Sequence, residues 1–205
     1  RVSGTEVPDL KSIAVLPFVN MSGDAENEYF SDGISEEILN LLVKLPTLRV
    51  ASRTSSFAFK GKDDDLRTIG EKLNVQSILE GSVRKDEQRN RVRITAQLVK
   101  VEDGYHLWSE TYDRDLDDIF AIQEEIARKV ATALKVTLLG EDEERIAAQA
   151  VTDVSAYDLY LRGLQQVNKN LDNAYQRFFK GLGDYPAEKL KKKQHFSFQV
   201  PQHYK

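Results

Sequence analysis

The 205 residues, 40% hydrophobic and 30% charged, fit one ordinary globular domain with an appendage. Cysteine is absent, which excludes a disulfide framework, thiolate zinc sites and thiol catalysis. The net charge of −4 is uneven: residues 164–205 carry eight Lys/Arg against three Asp/Glu, while residues 1–163 carry 21 against 30. That reversal divides the chain into segments with different surroundings or origins.

Residues 1–10, with Gly4 and Pro8, read as a linker. The chain opens on Arg1 rather than Met, which predicts a trimmed start that could have carried a membrane or targeting segment. Ile13–Leu16 is a short apolar run before Pro17 and suits a strand buried on both faces. Phe30, Ile34, Ile38, Leu41, Leu42 and Leu45 share one face of a helix that Pro46 ends. Gly33 weakens that helix by about 1 kcal/mol relative to alanine. Leu48–Ala51 predicts a second strand. Asp65 predicts the N-cap of a helix over Leu66–Leu73, with Leu66, Ile69 and Leu73 inward.

Gln76–Arg84 predicts a third strand and Lys85–Asn90 a polar turn. Val92, Ile94, Ala96 and Leu98 then alternate with Arg91, Arg93, Thr95 and Gln97, the period of a strand with one wet face. After a turn at Val101–Gly104, Tyr105–Tyr112 predicts a fifth strand. A helix from about Asp118 to Leu138 follows, with Ile122, Ile126, Val130 and Leu134 buried and Gly140 as its stop. Acidic residues 141–145 open a shorter helix, and Ser155–Gly163 is helical again. The order β-α-β-α-β-β-β-α followed by C-terminal helices implies an α/β fold: a mixed sheet of about five strands with packed helices.

Five patterns invite a chemical reading. Asp113, Asp115, Asp117 and Glu124 match positions 1, 3, 5 and 12 of a calcium loop, but Asp118 replaces the glycine needed at position 6; helix capping explains these acids better. His106 and Trp108 share a face of the fifth strand without a partner nucleophile or carboxylate, so packing or a surface role is preferred. Arg53, Thr54 and Ser55 follow a strand and could hold an anion, but no glycine-rich phosphate loop accompanies them and a polar turn is the simpler reading. Arg84, Lys85, Arg89, Arg91 and Arg93 make a basic hairpin without aromatics, which reads as solvated and guarded by charge. The adjacent pairs Glu36–Glu37 and Asp63–Asp64 read as surface solvation. Arg53, Thr54, Ser55, His106 and Trp108 are the candidate ligand or interaction rim. The residues offer no catalytic, metal or cofactor constellation.

The segments SIAVLPFVNMSGDA, NEYFSDGISEEILNLL, ASRTSSFAFKGK, ILEGSVRK, VRITAQLVKVEDGYHLWSETYDRDLDDIFAIQEEIA and AYDLYLRG resemble the TolB-like amino-terminal domain family over residues 11–163. The resemblance implies an α/β domain over 11–140 and a helical connector over 141–163 leading to tetratricopeptide repeats. It implies membership in bacterial regulators or class III adenylate cyclases, outside the cytoplasm if a membrane helix precedes it and cytoplasmic otherwise. It brings no catalytic residues and no cofactor, and it implies protein partners. Asn20, Gly23, Asp24, Phe30, Asp32 and Gly33 match its first motif, and Glu80–Ser82 and Trp108–Asp113 later ones, read as turns, caps and packing.

Residues 164–205 depart from it. LQQ, NLDNAYQRFFKGL, the lysine run and SFQVPQHYK are similar to the amino-terminal region of OrfB-type transposon nucleases. This implies a foreign fusion, helical over Leu164–Leu182 and poorly packed over Lys189–Lys205; a divergent repeat helix is the competing account, since Leu171, Tyr175 and Phe178 keep helical spacing. The functional expectation is a non-enzymatic interaction or sensory module. The alternatives are a fragment of an adenylate cyclase lacking its catalytic domain, and nucleic-acid binding by the basic tail.

Overall fold

The computed structural model describes residues 11–136, 138, 140–147 and 153–180. The chain divides into two units, Arg1–Gly163 and Leu164–Lys205. The linker over residues 1–10 and the tail beyond residue 180 lie outside the described residues.

The first unit is a mixed sheet with helices on both faces, as the sequence predicts. Its strands are β1 (Lys11–Val15), β2 (Val19–Asn20), β3 (Leu48–Val50), β4 (Ser77–Asp86), β5 (Arg91–Lys100) and β6 (His106–Asp115). The spatial order is β3-β1-β4-β5-β6, with β2 also on β4. Pairing is parallel among β3, β1, β2 and β4, and antiparallel from β4 to β6. The helices are α1 (Glu28–Val43), α2 (Arg53–Phe57), α3 (Leu66–Leu73), α4 (Ile119–Ala133), α5 (Gly140–Ala147) and α6 (Val154–Phe179).

β2 is the strand that periodicity does not reveal. Val15 pairs with Leu79 and Val19 with Ser82, so the first strand spends one residue more than β4 over the same stretch. Pro17, which has no N–H for the ladder, sits in that excess. Phe18 beside it turns into the core, and its backbone N–H donates to the Ser35 hydroxyl at 2.8 Å. Ser35 in turn donates to the carbonyl of Ser31 at 2.9 Å.

The two faces of the sheet differ. Ile13, Val15, Leu79, Val83, Val92, Ile94, Ala96 and Leu98 bury one face under α1 and α4, whose stripes Phe30–Ile34–Ile38 and Ile122–Ile126–Val130 meet them. On the other face Ala14 and Ile78 are covered by Ile69 of α3 with Leu66, Leu73 and Phe59 around them, and Val99, paired with Ile78, is buried too. The rest of that face is polar. Gln97 reaches Ser109 at 3.4 Å, Thr95 meets Thr111 at 3.2 Å, and Arg93 binds Asp113 at 2.6 Å.

Helix ends follow local chemistry where a local signal exists. Asp65 caps α3 by accepting from the Arg67 N–H at 3.0 Å, as predicted. α4 ends before the predicted Leu138: Lys135 adopts φ 57°, and Val136 N–H bonds back to the Ala131 carbonyl at 2.9 Å. Gly140 therefore starts α5 rather than stopping α4. The predicted helices at Ser155–Gly163 and from Leu164 onward are one helix, α6. In its second part Leu164, Val167 and Leu171 are exposed; Leu182 lies outside the described residues, as do the side chains of Tyr175 and Phe178.

Two glycines are packing devices. A Cβ on Gly81 would collide with the backbone carbonyl oxygen of Thr95 and lie 2.7 Å from the Phe18 ring. On Gly33 it would meet only the end of the Leu161 side chain, at 2.5 Å. Gly81→Ala should therefore cost about 2–3 kcal/mol, because backbone must move. Gly33→Ala should cost less, because Leu161 can change rotamer and the helix gains about 1 kcal/mol of propensity. Urea unfolding of both variants checks the order; equal losses would contradict it.

Candidate functional site

Chain topology marks one place for a ligand. α1 follows β1 onto one face of the sheet, and α2–α3 follow β3 onto the other, which opens a crevice at the carboxyl ends of β1 and β3. Ser52–Ser56 was expected there as a polar turn and is instead the start of α2. The Ser52 side chain caps that helix by accepting from the Ser55 N–H at 3.2 Å. The Arg53 guanidinium binds Glu36 at 2.8 Å and lies 4.2 Å from the Phe57 ring centroid. Farther on, Lys60 binds Glu28 at 2.7 Å and Asp32 at 2.6 Å.

Glu28, Asp32 and Glu36 are one turn apart along α1, so a single acidic stripe clasps the segment that crosses the crevice. Burial lifts the Asp32 carboxyl even with the Lys60 ammonium beside it. The ammonium loses from burial but is held up by Asp32 and Glu28 together. Glu36 and Glu37 are thus half-buried rather than simply solvated; burial first and Glu36 second raise the Glu37 carboxyl.

The predicted rim does not come together. Arg53, Thr54 and Ser55 sit beyond β3 at one edge of the sheet, whereas His106 and Trp108 sit on β6 at the other. His106 is exposed, while Trp108 packs against the main core and donates to Glu110 at 3.3 Å. The calcium-loop acids do not form a loop. Asp113 accepts from Arg91 and Arg93, and Asp115 from Arg91. Asp115 and Asp118 occupy N-cap positions without making cap hydrogen bonds, so cross-strand pairing rather than capping explains Asp113 and Asp115, while Asp117 accepts from Asn90 at 3.4 Å and Glu124 meets Arg128 at 3.6 Å. The pairs with Arg91 and Arg93 hold the Asp113 carboxyl low. Among the described residues no group of three or more His, Asp or Glu could hold a metal ion.

The basic hairpin contains the least expected group. Lys85 lies in β4 rather than in a turn, and its side chain is only 3% exposed. Its ammonium binds Asp158 of α6 at 2.9 Å and Glu87 at 2.9 Å, 4.9 Å from the Phe30 ring centroid. Asp158 also accepts from the Tyr29 hydroxyl at 2.7 Å and from Arg162 at 2.6 Å. Burial would raise the Asp158 carboxyl, but the hydrogen bonds from Lys85, Tyr29 and Arg162 outweigh it and hold it low. Tyr157, next to Asp158, meets Phe120 edge-on at 5.3 Å, and Leu161, one turn on, fills the space over Gly33. This network seats the first ten residues of α6 on α1, α4 and β4.

A third feature is a groove of about 490 Å3 on the polar face. Its wall is Phe59, Leu66 and Ile69, with Leu16 and Pro17 at one end. Its floor is Glu80, Ser82, Thr95 and Gln97. Glu80 is half-buried and makes no ion pair or hydrogen bond among the described residues; Gln97, opposite it on β5, turns its amide to Ser109.

No family profile matches the chain. It is 49% identical over 162 residues to the protein of Rhizobium meliloti (strain 1021) named "Putative adenylate cyclase 3", covering 79% of this chain and 27% of that protein. The chain thus spans about a quarter of that relative's length. Solved structures similar to it include TolB from Acinetobacter baumannii, with a TM-score of 0.44 and 14% identity over 60% of this chain and 28% of that one. Lipoprotein GNA1162 from Neisseria meningitidis gives 0.44 and 17%, over 62% and 99%. The C-terminal domain of LpoB from Escherichia coli gives 0.40 and 17%, over 52% and 83%.

The Asp158 network has a measurable worth. Asp158→Ala leaves Lys85 buried with only Glu87, which should cost about 3 kcal/mol, the low end for an orphaned buried charge. Lys85→Met in the same chain should restore part of that loss, and a double-mutant cycle in urea checks it; strict additivity would remove the coupling. The sign with pH follows from the depressed carboxyl. Its contribution is present above the ordinary Asp value of about 3.9 and is lost as pH falls through the lower folded value. Acid unfolding of Asp158→Asn should accordingly be shallower below about pH 4 than that of the parent.

Proposed function

We propose that this chain is a non-catalytic interaction and sensory module of a larger bacterial signalling protein associated with the cell envelope. The observation that carries the reading is the seat of α6. The most buried ammonium in the domain and its carboxylate partner serve to hold an outgoing helix, not to face a substrate. A catalytic lysine or aspartate needs an opening onto a reacting atom. The Lys85 ammonium is enclosed beside Tyr29 and Phe30, and the partly exposed Asp158 carboxylate is already taken up by Lys85, Tyr29 and Arg162.

The likeness to a protein named as an adenylate cyclase supports a place in a multidomain regulator. Covering 27% of that protein, it is a likeness to one portion, and the chemistry implied by the name would reside in another. The resemblance to the TolB-like family supports an extracytoplasmic position and protein partners, with tetratricopeptide repeats beyond α6. The likeness of residues 164–205 to transposon nucleases rests on the sequence pieces and the charge reversal alone.

Two measurements test the module reading. The purified 205-residue chain, given ATP with Mg2+ or Mn2+, should form no cyclic AMP above a protein-free control; turnover that co-purifies with the chain overturns the reading. Residues 1–163 placed in the Rhizobium meliloti relative, in exchange for the matching region, should preserve that protein's output. Asp158→Ala in the exchanged segment should change it. Output indifferent to Asp158→Ala would mean that the seat transmits nothing.

A further inference from the structure

We propose that the groove between α3 and the polar face of the sheet binds a small organic cation: an ammonium or guanidinium group on a short apolar stem. Four observations lead there. The groove, at about 490 Å3, has the volume of a small-molecule site. One wall is apolar, with Phe59, Leu66 and Ile69 available to a hydrocarbon stem.

Glu80 stands on the floor, half-buried, with no partner among the described residues. A carboxylate on the floor of a groove without a counter-charge can form a charge-assisted hydrogen bond with a cation placed there. Ser82 and Thr95, paired across β4 and β5, add hydroxyls beside the carboxylate that can accept from the same ligand group.

The charges around the groove favour a cation over an anion. Lys60, the strongest anion candidate on the rim, is already shared by Glu28 and Asp32. Asp64 is bound to Lys72. Lys62 lies 5.6 Å from the Phe59 ring centroid and, among the described residues, neither it nor Asp63 beside it has an ion-pair partner. Glu80, Asp63 and Lys62 therefore leave one uncompensated negative charge at the groove. The excess of 30 acidic over 21 basic groups in residues 1–163 adds long-range attraction of the same sign.

The inference rests on the sensory reading only for what the ligand would signal. Its test is binding, whereas that reading is tested by turnover and by domain exchange, so either can fail alone. Calorimetric titration of the 205-residue chain with pentylammonium at low ionic strength should show saturable one-to-one binding. Glu80→Gln should weaken it about tenfold or more, with the circular dichroism spectrum unchanged. Lys62→Glu, on an exposed loop where folding is not at stake, should tighten it severalfold. Hexanoate, with the same apolar length and the opposite charge, should not bind. The tripeptide Ala-Lys-Ala, which carries the ammonium on a backbone, should bind more weakly than pentylammonium. Non-saturating heats, an affinity indifferent to Glu80→Gln, looser binding in Lys62→Glu, or preference for hexanoate or the tripeptide would each overturn the assignment.

Discussion

Strand β4 is bonded in parallel to β1 and β2 along one side and antiparallel to β5 along the other. It is the seam between a β-α-β half and a meander half, and its side chains must satisfy both. Leu79, Gly81, Val83 and Lys85 point into the main core, while Ile78, Glu80, Ser82 and Arg84 point to the other face. Gly81 is where the seam is tightest. Phe18, turned inward by the bulge at Pro17, lies against it, and the Thr95 carbonyl leaves no room for a Cβ.

From that alternation the two chemically distinct regions of the domain follow. The inward register continues past Val83 and carries Lys85 to the end of the core, where an ammonium cannot remain without counter-charges. Glu87 supplies one from the same hairpin, and α6 supplies Asp158. The outward register places Glu80 and Ser82 on a face that α3 covers only at its near end. One strand thus sets both the seat of the outgoing helix and the floor of the groove.

What was legible in the sequence was what neighbours in sequence determine. The alternation of Val92 to Leu98, the stripe of α4, and the Asp65 cap are all local patterns, and the structure places them where the patterns say. What was not legible depends on partners far along the chain. Lys85 read as a solvated turn residue because Asp158 is 73 positions away. Gly33 read as a weak point because Leu161, which needs its missing Cβ, lies in α6. α2 is five residues of mixed polarity, too short for a period to show, and ion pairs from α1 to Arg53 and Lys60 hold its segment. The arginines of β5 read as a solvated basic hairpin and the aspartates of β6 as helix caps until strand register set Arg93 opposite Asp113. The left-handed Lys135 carries no sequence signal of the kind glycine would give, so the end of α4 was set too late.

The seat of α6 also constrains how the domain can act on the chain beyond it. Tyr157, Asp158, Leu161 and Arg162 lie on two successive turns and are held from several sides: by α4 through Phe120, by β4 and α1 through Lys85 and Tyr29, by α1 again through Gly33, and by the hairpin through Glu87. A helix held at four points over two turns cannot rotate about its axis without breaking the Asp158 hydrogen bonds, nor tilt without lifting Leu161 from Gly33. Packed contacts of this kind change between discrete arrangements rather than by continuous bending. A displacement of α1 relative to β4 would therefore reach α6 as a step. The acidic stripe of α1 binds the segment that ends at the groove rim, through Glu28, Asp32 and Lys60. The same helix thus touches both regions: its charged face meets the rim, and its glycine meets the seat. α1 is the element that the two regions share.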